Sequence, residues 1–447
     1  MLLGALTVVL LYRFGPLGPV GVAALVAYVA VASRDVRWGL VGLLLTLPLG
    51  ESGGSQLGVF VLSPLKVTLA AFLGAALVRT LPRSREASPG SRRWTLRPLE
   101  GAAALFGLSL ILSAAAAADV TAAFKETSMT LLLVAMYGVV ARSLRGEPAV
   151  RVVLWGLVVA AALISMLAVR SFILQESSWR VSLDGSGAEM RAGGVLGHPN
   201  QLAGFLTLVV PVGIALALQV RGWRRLAAAG LTVLSGVALL VTMSRTGWLA
   251  GAAGVAVLTL LVPRRSLVIG LVVLGIAAVY LVPGGLSVLI TERAAGVGDF
   301  SQAEVLSRMD YWRASLRIVE ESPVVGVGLG NFPQAYEALN TQGKWYIPGP
   351  IRVSPPHAHN LFLTMLAETG GVGVAAGLAL LVAVVSEARR ALRPRGTPAY
   401  VLGAGIVAAL VAFALDNTAD VTFFQNTSHA AFWVELACLT VLARGSA

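Results

Sequence analysis

Long apolar runs alternate with short polar connections along almost the whole chain. A helix crossing the hydrocarbon layer of a bilayer needs about 20 predominantly apolar residues. Runs of that kind occur at 61–80, 99–118, 124–141, 152–171, 199–219, 226–243, 246–262, 267–283, 359–386, 399–415 and 425–443. Before residue 61 the runs 1–12, 16–32 and 38–50 are short, and Gly15-Pro16, Gly18-Pro19 and Pro48 interrupt them, so they predict one, two or three passes. The pattern predicts an all-α polytopic membrane protein of about 12 transmembrane helices, or as many as 14.

One stretch, 284–356, breaks the alternation, dividing the chain into N-terminal spans (1–283), a large loop (284–356) and C-terminal spans (357–447). Within the loop, 303–320 reads as an amphipathic helix. Val305, Met309, Trp312, Leu316 and Val319 recur at three- and four-residue steps, one apolar stripe, with Arg308, Arg313 and Arg317 off it. Ser301 with Glu304 three residues on has the form of a capping box, and Pro323 follows the end. Gly326 to Gly330 then predicts a turn, and a second short helix runs to about Asn340. A structured loop between two spans reads as a lid over a cavity.

Composition supports the membrane assignment: 57% of residues are hydrophobic, only 13% are charged, and the mean hydropathy is +0.81. Soluble domains carry about 25% charged residues. The net charge of +12 does not point to nucleic acid, because cytoplasmic loops of membrane proteins hold an excess of Lys and Arg. Here Arg34 and Arg37, Arg83 to Arg97, Arg142 to Arg151, Arg221 to Arg225, Arg264 and Arg265, and Arg389 to Arg395 fall on every second connection, whereas 51–60, 119–123 and 416–424 have no Lys or Arg. The first set is therefore assigned to the cytoplasm and the second, with the large loop, to the periplasm or exterior. Met1 to Tyr12 has neither a charged n-region nor a small-residue cleavage site, so no cleavable signal peptide is expected. The single cysteine, Cys438, lies in an apolar run and reads as a core residue.

Topology leaves some cations unexplained on the outer side: Arg180, Arg191, Arg245, Arg293, Arg308, Arg313, Arg317, Lys344 and Arg352. Arg180 reads as an interfacial arginine that snorkels. Arg245 sits in a turn between two spans, where charge is costly and usually functional. An arginine fork matches pyrophosphate oxygens, so Arg245 and Arg191 are candidates for an anionic lipid headgroup. The four histidines, His198, His357, His359 and His429, all fall near the outer face. His357 and His359 stand where the large loop re-enters the membrane. They could act in proton transfer, or only cap and anchor the helix there. A zinc site on His-x-His is a third reading, but no HExxH and no cysteine set accompanies it. The outer loops hold no Asp-x-Asp or Glu-x-Asp; Asp416 and Asp420 stand four apart. That composition favours charge stabilisation by arginine over a carboxylate-held metal.

Several segments resemble the O-antigen ligase/polymerase superfamily: Arg191-Ala-Gly-Gly-Val-Leu-Gly-His198-Pro199-Asn200, Ser244-Arg245-Thr246-Gly247-Trp248, Ser307-Arg308-Met-Asp-Tyr-Trp312, Pro323-x-x-Gly326-x-Gly328-x-Gly330-Asn331-Phe332, and His357-Ala358-His359-Asn360 followed by Glu368-Thr369-Gly370. They span about 190–375, in the family's order. The resemblance implies a GT-C-like helical fold in a bacterial inner membrane, with a periplasmic active site and no cofactor or metal. It implies a glycan donor on undecaprenyl pyrophosphate, and as acceptor either lipid A–core (ligase) or a second lipid-linked glycan (polymerase); the ligase branch is the closer likeness. The family's essential histidine maps onto His359, with His357 beside it, and its donor-binding arginines onto Arg191 and Arg245, extended to Arg308. His198, Asn200, Asn360 and Asp416 are candidate supporting residues. A rival from another class is a flippase or other transporter of lipid-linked oligosaccharides. The single large outer loop and the lack of evident paired repeats speak against it.

Overall fold

The computed structural model describes residues 17–49, 55–57, 60–80, 97–174, 176, 191–281, 286–295, 303–341, 357–393 and 395–445. Arg180, Ser301, Lys344, Arg352 and the run 1–12 lie outside the described residues. The chain opens with α1 (Leu17–Arg34) and α2 (Val36–Leu44), then a small hairpin of β1 (Ser55–Leu57) and β2 (Phe60–Leu62). The helices α3 (Pro64–Thr80), α4 (Pro98–Ala115), α5 (Val120–Ser143), α6 (Gly146–Ile173), α7 (Pro199–Gln219), α8 (Trp223–Val241), α9 (Arg245–Leu261) and α10 (Arg265–Val279) come next. The large loop carries α11 (Leu286–Ala295), α12 (Ala303–Glu321) and α13 (Phe332–Thr341), and the chain closes with α14 (Leu361–Ala391), α15 (Pro398–Asp416) and α16 (Asn426–Arg444).

Among the described residues, seven helices are long and apolar enough to cross a membrane: α4, α5, α6, α7, α8, α14 and α15. Five further apolar stretches, Ala23–Arg34, Val36–Leu49, Pro64–Val78, Arg245–Leu261 and Arg265–Val279, are shorter. The chain is a helical, polytopic membrane protein. Helices lie over the predicted runs with ends displaced by a few residues, but α16, on the run 425–443, is in neither group, so the expected 12 spans are not all met, and the β1–β2 hairpin departs from the all-α expectation. Helix α10 is apolar all round, yet only Val268 and Val279 are buried, leaving Ile269, Val273, Leu274 and Ile276 exposed. Such a face suits lipid rather than water.

Helix α7 is the centre of the bundle, buried along nearly its whole length and packed on α8, α9 and α15. Small residues set these approaches. A Cβ on Gly213 would lie 2.3 Å from Thr232 Oγ1, and one on Gly405 2.5 Å from Ala215 Cβ. Helices in lipid gain their attraction from such backbone proximity, since the tails are as apolar as leucine. Gly204 likewise admits Thr422, from the connection between α15 and α16, to 2.4 Å of where its Cβ would stand. That contact seats the 417–425 connection on the first turns of α7.

The expected single span at 359–386 is broken. Gly370 has φ 62° and ψ −166°, which interrupts α14. The groups freed at the break pair with the segment after α12: Val327 N–H donates to Ala367 O and Gly328 N–H to Glu368 O, while Gly371 and Val372 N–H donate to Pro323 and Val324 O. Non-helical backbone at this depth needs such partners, because lipid offers none.

The buried face of α12 also differs from the expected stripe. Ala314, Ser315 and Ile318 are buried, with Tyr311 half-buried beside them, whereas Met309 and Leu316 are exposed. Helix α12 lies on α14 through this face, which turns Met309 and Leu316 outward, leaves Trp312 and Val319 packed at its edge and brings Arg308 inward.

Gly370→Ala puts a Cβ 2.4 Å from the Val324 carbonyl carbon on a left-handed backbone, whereas Gly371→Ala meets nothing closer than Pro323 O at 3.5 Å. A positive φ with ψ near 180° is open almost only to glycine and costs about 1–3 kcal/mol for another residue. Thermal unfolding in detergent should therefore show Gly370→Ala clearly destabilised and Gly371→Ala close to the unsubstituted protein. Equal melting of the two variants would refute the strained-break account.

Candidate active site

Three connections meet at one end of the bundle: 191–200 before α7, 357–361 before α14, and 417–425 between α15 and α16. Each is organised by side chains that bind nearby backbone. His198 caps α7, its Nδ1 accepting from Asn200 N–H at 3.1 Å. Asn360 caps α14, accepting from Leu363 N–H at 3.0 Å, and its Nδ2 donates to Thr418 O at 2.8 Å. Asn417 Oδ1 accepts from the N–H groups of Thr422 and Phe423, and its carbonyl accepts from Leu361 N–H. Short-range capping thus also joins the second and third connections.

The functional candidates then form a continuous chain. Arg191 Nη2 donates to Asn200 Oδ1 at 2.6 Å; Asn200 Nδ2 donates to Asp420 Oδ2 at 2.5 Å; Asp420 Oδ1 lies 3.3 Å from His359 Nδ1. Asp420 Oδ1 also accepts from Val421 N–H. The His357 and His359 rings meet edge to face at 4.6 Å between centroids, and His357 Nδ1 accepts from His359 N–H at 3.2 Å. Tyr311, from α12, stacks on His359 at 5.9 Å with 26° between the ring planes. The large loop therefore lays an aromatic ring on the histidine that the resemblance singles out.

Backbone strain marks the same places. Among the described residues the non-glycine residues with positive φ are Met243 at 52° and His359 at 49°. Such conformations persist where the surroundings over-determine them, often at functional sites. Met243 lies in the turn before α9, where Ser244 caps the helix and Arg245 is its first residue. Two arginines hold that turn from outside: Arg191 Nε donates to Thr242 O at 3.1 Å, and Arg293 Nε to Met243 O at 3.3 Å.

Electrostatics assign different states to the neighbouring groups. Burial would raise the Asp420 carboxyl, but the His359 contact, with the Arg308 charge acting in the same direction, outweighs it and holds the group well below the usual carboxylate range. Asp420 is thus an anion. Burial, then the adjoining His359, push His357 down to about 4, with His198 and Arg308 acting in the same direction against Asp420. His357 is neutral at pH 7.

The sequence candidates His198, Asn200, Arg191, His357 and His359 are thus brought together, Arg308 acts on them through its charge, and Asn360 secures the adjoining loop. Asp416 is near but turned to Thr422 Oγ1 at 2.8 Å; the carboxylate facing His359 is Asp420. His429 lies apart, buried among Phe423, Phe424 and Trp433. Asp420 and Tyr311 are the members that residue spacing did not select. A metal is the other possible occupant, since ligand atoms of His357, His359 and Asp420 lie within 4.8 Å of one another. The donor set fits one poorly: His357 Nδ1 already accepts a backbone N–H, which puts the proton of the neutral ring on Nε2 and leaves this ring no lone pair for a metal. What the arrangement offers is a proton acceptor oriented by a buried carboxylate, as in other histidine-based catalytic sites.

The His357 shift predicts a pH dependence of stability. The unfolded ring takes a proton near 6.5 and the folded ring only near 4, so the unfolded state binds more protons between these values. Stability should be complete above about pH 6.5 and fall as the pH drops toward 4. In His357→Asn, whose amide oxygen can accept from His359 N–H in place of Nδ1, this part of the loss should disappear from melting curves recorded across the range.

The comparison with curated proteins finds no match. Residues 230–378 match the family model described as O-Antigen ligase. The matched segment carries Arg245, Arg293, Arg308, Tyr311, His357 and His359, while Arg191, His198, Asn200 and Asp420 join it from either side. The chain is thus similar to the O-antigen ligase family over residues 230–378, one third of its length.

Proposed function

We propose that the protein is an O-antigen ligase-like glycosyltransferase that moves a glycan from undecaprenyl pyrophosphate to a sugar hydroxyl of lipid A–core. The family match supports the broader part of this reading, a membrane enzyme of ligase or polymerase type acting on lipid-linked glycans. The observation that carries the finer part is the His359–Asp420 pair, tied through Asn200 to Arg191. In this reading the fold is GT-C-like, with about 12 spans in a bacterial inner membrane. The site faces the periplasm, and 284–356 forms a lid between the spans of 1–283 and 357–447.

The geometry suits a single displacement. Asp420 faces Nδ1 of His359, which leaves Nε2 to take the proton of the acceptor hydroxyl. The acceptor oxygen attacks C1 of the donor sugar. The C1–O bond breaks, both its electrons leave with the undecaprenyl pyrophosphate, and the anomeric centre inverts. Asp420 stabilises the imidazolium as it forms. Arg245 and Arg308, with the charge of Arg191, offset the negative charge growing on the leaving group. Arg191 is also a positioning residue, since it holds Asn200 and the Thr242 carbonyl. Charge stabilisation by arginine makes the transfer metal-independent.

The test is transfer by the purified protein in detergent with EDTA, using undecaprenyl-pyrophosphate glycan as donor and lipid A–core and a second donor molecule as competing acceptors. His359→Ala and Asp420→Asn should remain folded and lose about 10²–10⁴-fold in rate, the range for removal of a positioned general base. Asp416→Asn should lose far less. Normal transfer by His359→Ala would sink the general-base role. Loss of activity in EDTA, restored by a divalent cation, would refute the metal-free step. A ladder of lengthened lipid-linked chains in place of lipid A–core product would make the enzyme a polymerase.

A further inference from the structure

A cavity of about 260 Å³ opens beside His357. Of the Arg191–Asn200–Asp420–His359–His357 cluster, only His357 lines it. Its other polar walls come from Lys66 on α3, Lys125 and Glu126 on α5, Glu368 on α14, and the start of α16 at Gln425 and Asn426.

The two lysines set this cavity apart. The chain contains three lysines, Lys66, Lys125 and Lys344, among 34 basic residues, so every positive charge in the loops assigned to the cytoplasm is an arginine. Lys66 and Lys125 stand near the starts of helices that succeed the outer connections 51–60 and 119–123. Topology signalling does not call for cations there. Neither lysine forms an ion pair among the described residues. The N-terminus of the 19-residue helix α16 adds its positive dipole end to the same wall, and its N-cap, Gln425, makes no side-chain cap hydrogen bond. Against these stand two acids. Glu368 Oε1 accepts from Phe332 N–H at 3.0 Å and is committed to holding the loop. Glu126 is half-buried and offsets one positive charge at most.

We propose that this cavity is an acceptor subsite for a negatively charged substituent, a phosphate or carboxylate, on the acceptor sugar. Lys66 and Lys125 hold that substituent and bring a neighbouring hydroxyl to His359. The inference rests on the glycosyl-transfer reading above and adds the acceptor's class, an anionic glycolipid headgroup. Two cationic regions of different chemistry serve two anionic substrates. The arginines offer planar forks suited to the donor pyrophosphate, whereas lysine ammonium groups are compact charges on flexible stems that suit a terminal monoanion or dianion. The volume is below that of a drug-sized pocket, which fits one substituted sugar rather than a chain.

The experiment uses the full-length protein in detergent and two probes: a glycolipid acceptor with one sugar phosphomonoester, and the same glycolipid after phosphatase treatment. Equilibrium binding of each is measured without donor, and transfer kinetics are measured with it. The unsubstituted protein should prefer the phosphorylated probe. Lys66→Gln and Lys125→Gln should each weaken its binding about tenfold, the scale of one charge-assisted hydrogen bond, and raise its KM in parallel. The donor KM and binding of the dephosphorylated probe should stay unchanged, the last showing that the variants are folded. No preference for the phosphorylated probe, or equal losses for both probes, overturns the proposal. A raised donor KM moves the lysines to the donor pyrophosphate and overturns it too. Lysine-dependent binding without any transfer would leave the subsite standing and defeat the transferase reading; transfer without lysine-dependent discrimination would do the reverse.

Discussion

Backbone polar groups among apolar side chains must find partners inside the protein, and the break in α14 at Gly370 places that demand at the centre of the molecule. Each such group left unpaired in lipid costs several kcal/mol. The break exposes carbonyls at Ala367 and Glu368 and N–H groups at Gly371 and Val372, and the 323–328 segment takes all four. Further ties reinforce the crossing. Ser113 Oγ also donates to Glu368 O, and Asn331 exchanges two hydrogen bonds with the backbone of Asp119. The large loop is thereby fixed to the helix whose entry carries His357, His359 and Asn360. That attachment is why α12 can hold Tyr311 on His359 and Arg308 within reach of Asp420.

The second organising feature is a buried anion. A carboxylate out of water is costly unless its oxygens are hydrogen-bonded and its charge is answered. Asp420 meets both conditions with groups from three separate connections: Val421 N–H beside it, Asn200 from the start of α7, and His359 from the start of α14. The close seat of Thr422 against Gly204 makes this geometry possible, since any side chain at 204 would push the 417–425 connection away. Stability and chemistry here depend on the same few contacts.

The sequence carried the membrane fold clearly, because apolar run length reports a span directly. The run 199–219 coincides with α7, and 152–171 lies inside the longer α6. It carried the histidines and arginines because polar side chains on the outer side of such a chain are few. Asp420 was hidden, since acids were weighed by their spacing as metal ligands, whereas its role depends on a contact with a residue 61 positions earlier. Tyr311 was hidden for a different reason. The apolar stripe is half right, since Trp312 and Val319 pack inward, but the buried face is centred on Ala314, Ser315 and Ile318, and the small size of the first two permits close approach without adding to an apolar signal. The break at Gly370 is a backbone event that hydropathy does not register.

His359 is pinned twice, by its left-handed backbone and by the bond from its N–H to His357. Its reach is therefore fixed, and the site cannot change what stands beside this ring by moving the ring itself. Adaptation has to come from the surrounding walls. Those walls include α3 and α5, which lie outside the family segment 230–378. The positive φ of His359 and its bond to His357 lie within that segment, so substitutions at Lys66 or Lys125 can reshape the cavity beside His357 without moving the histidine pair.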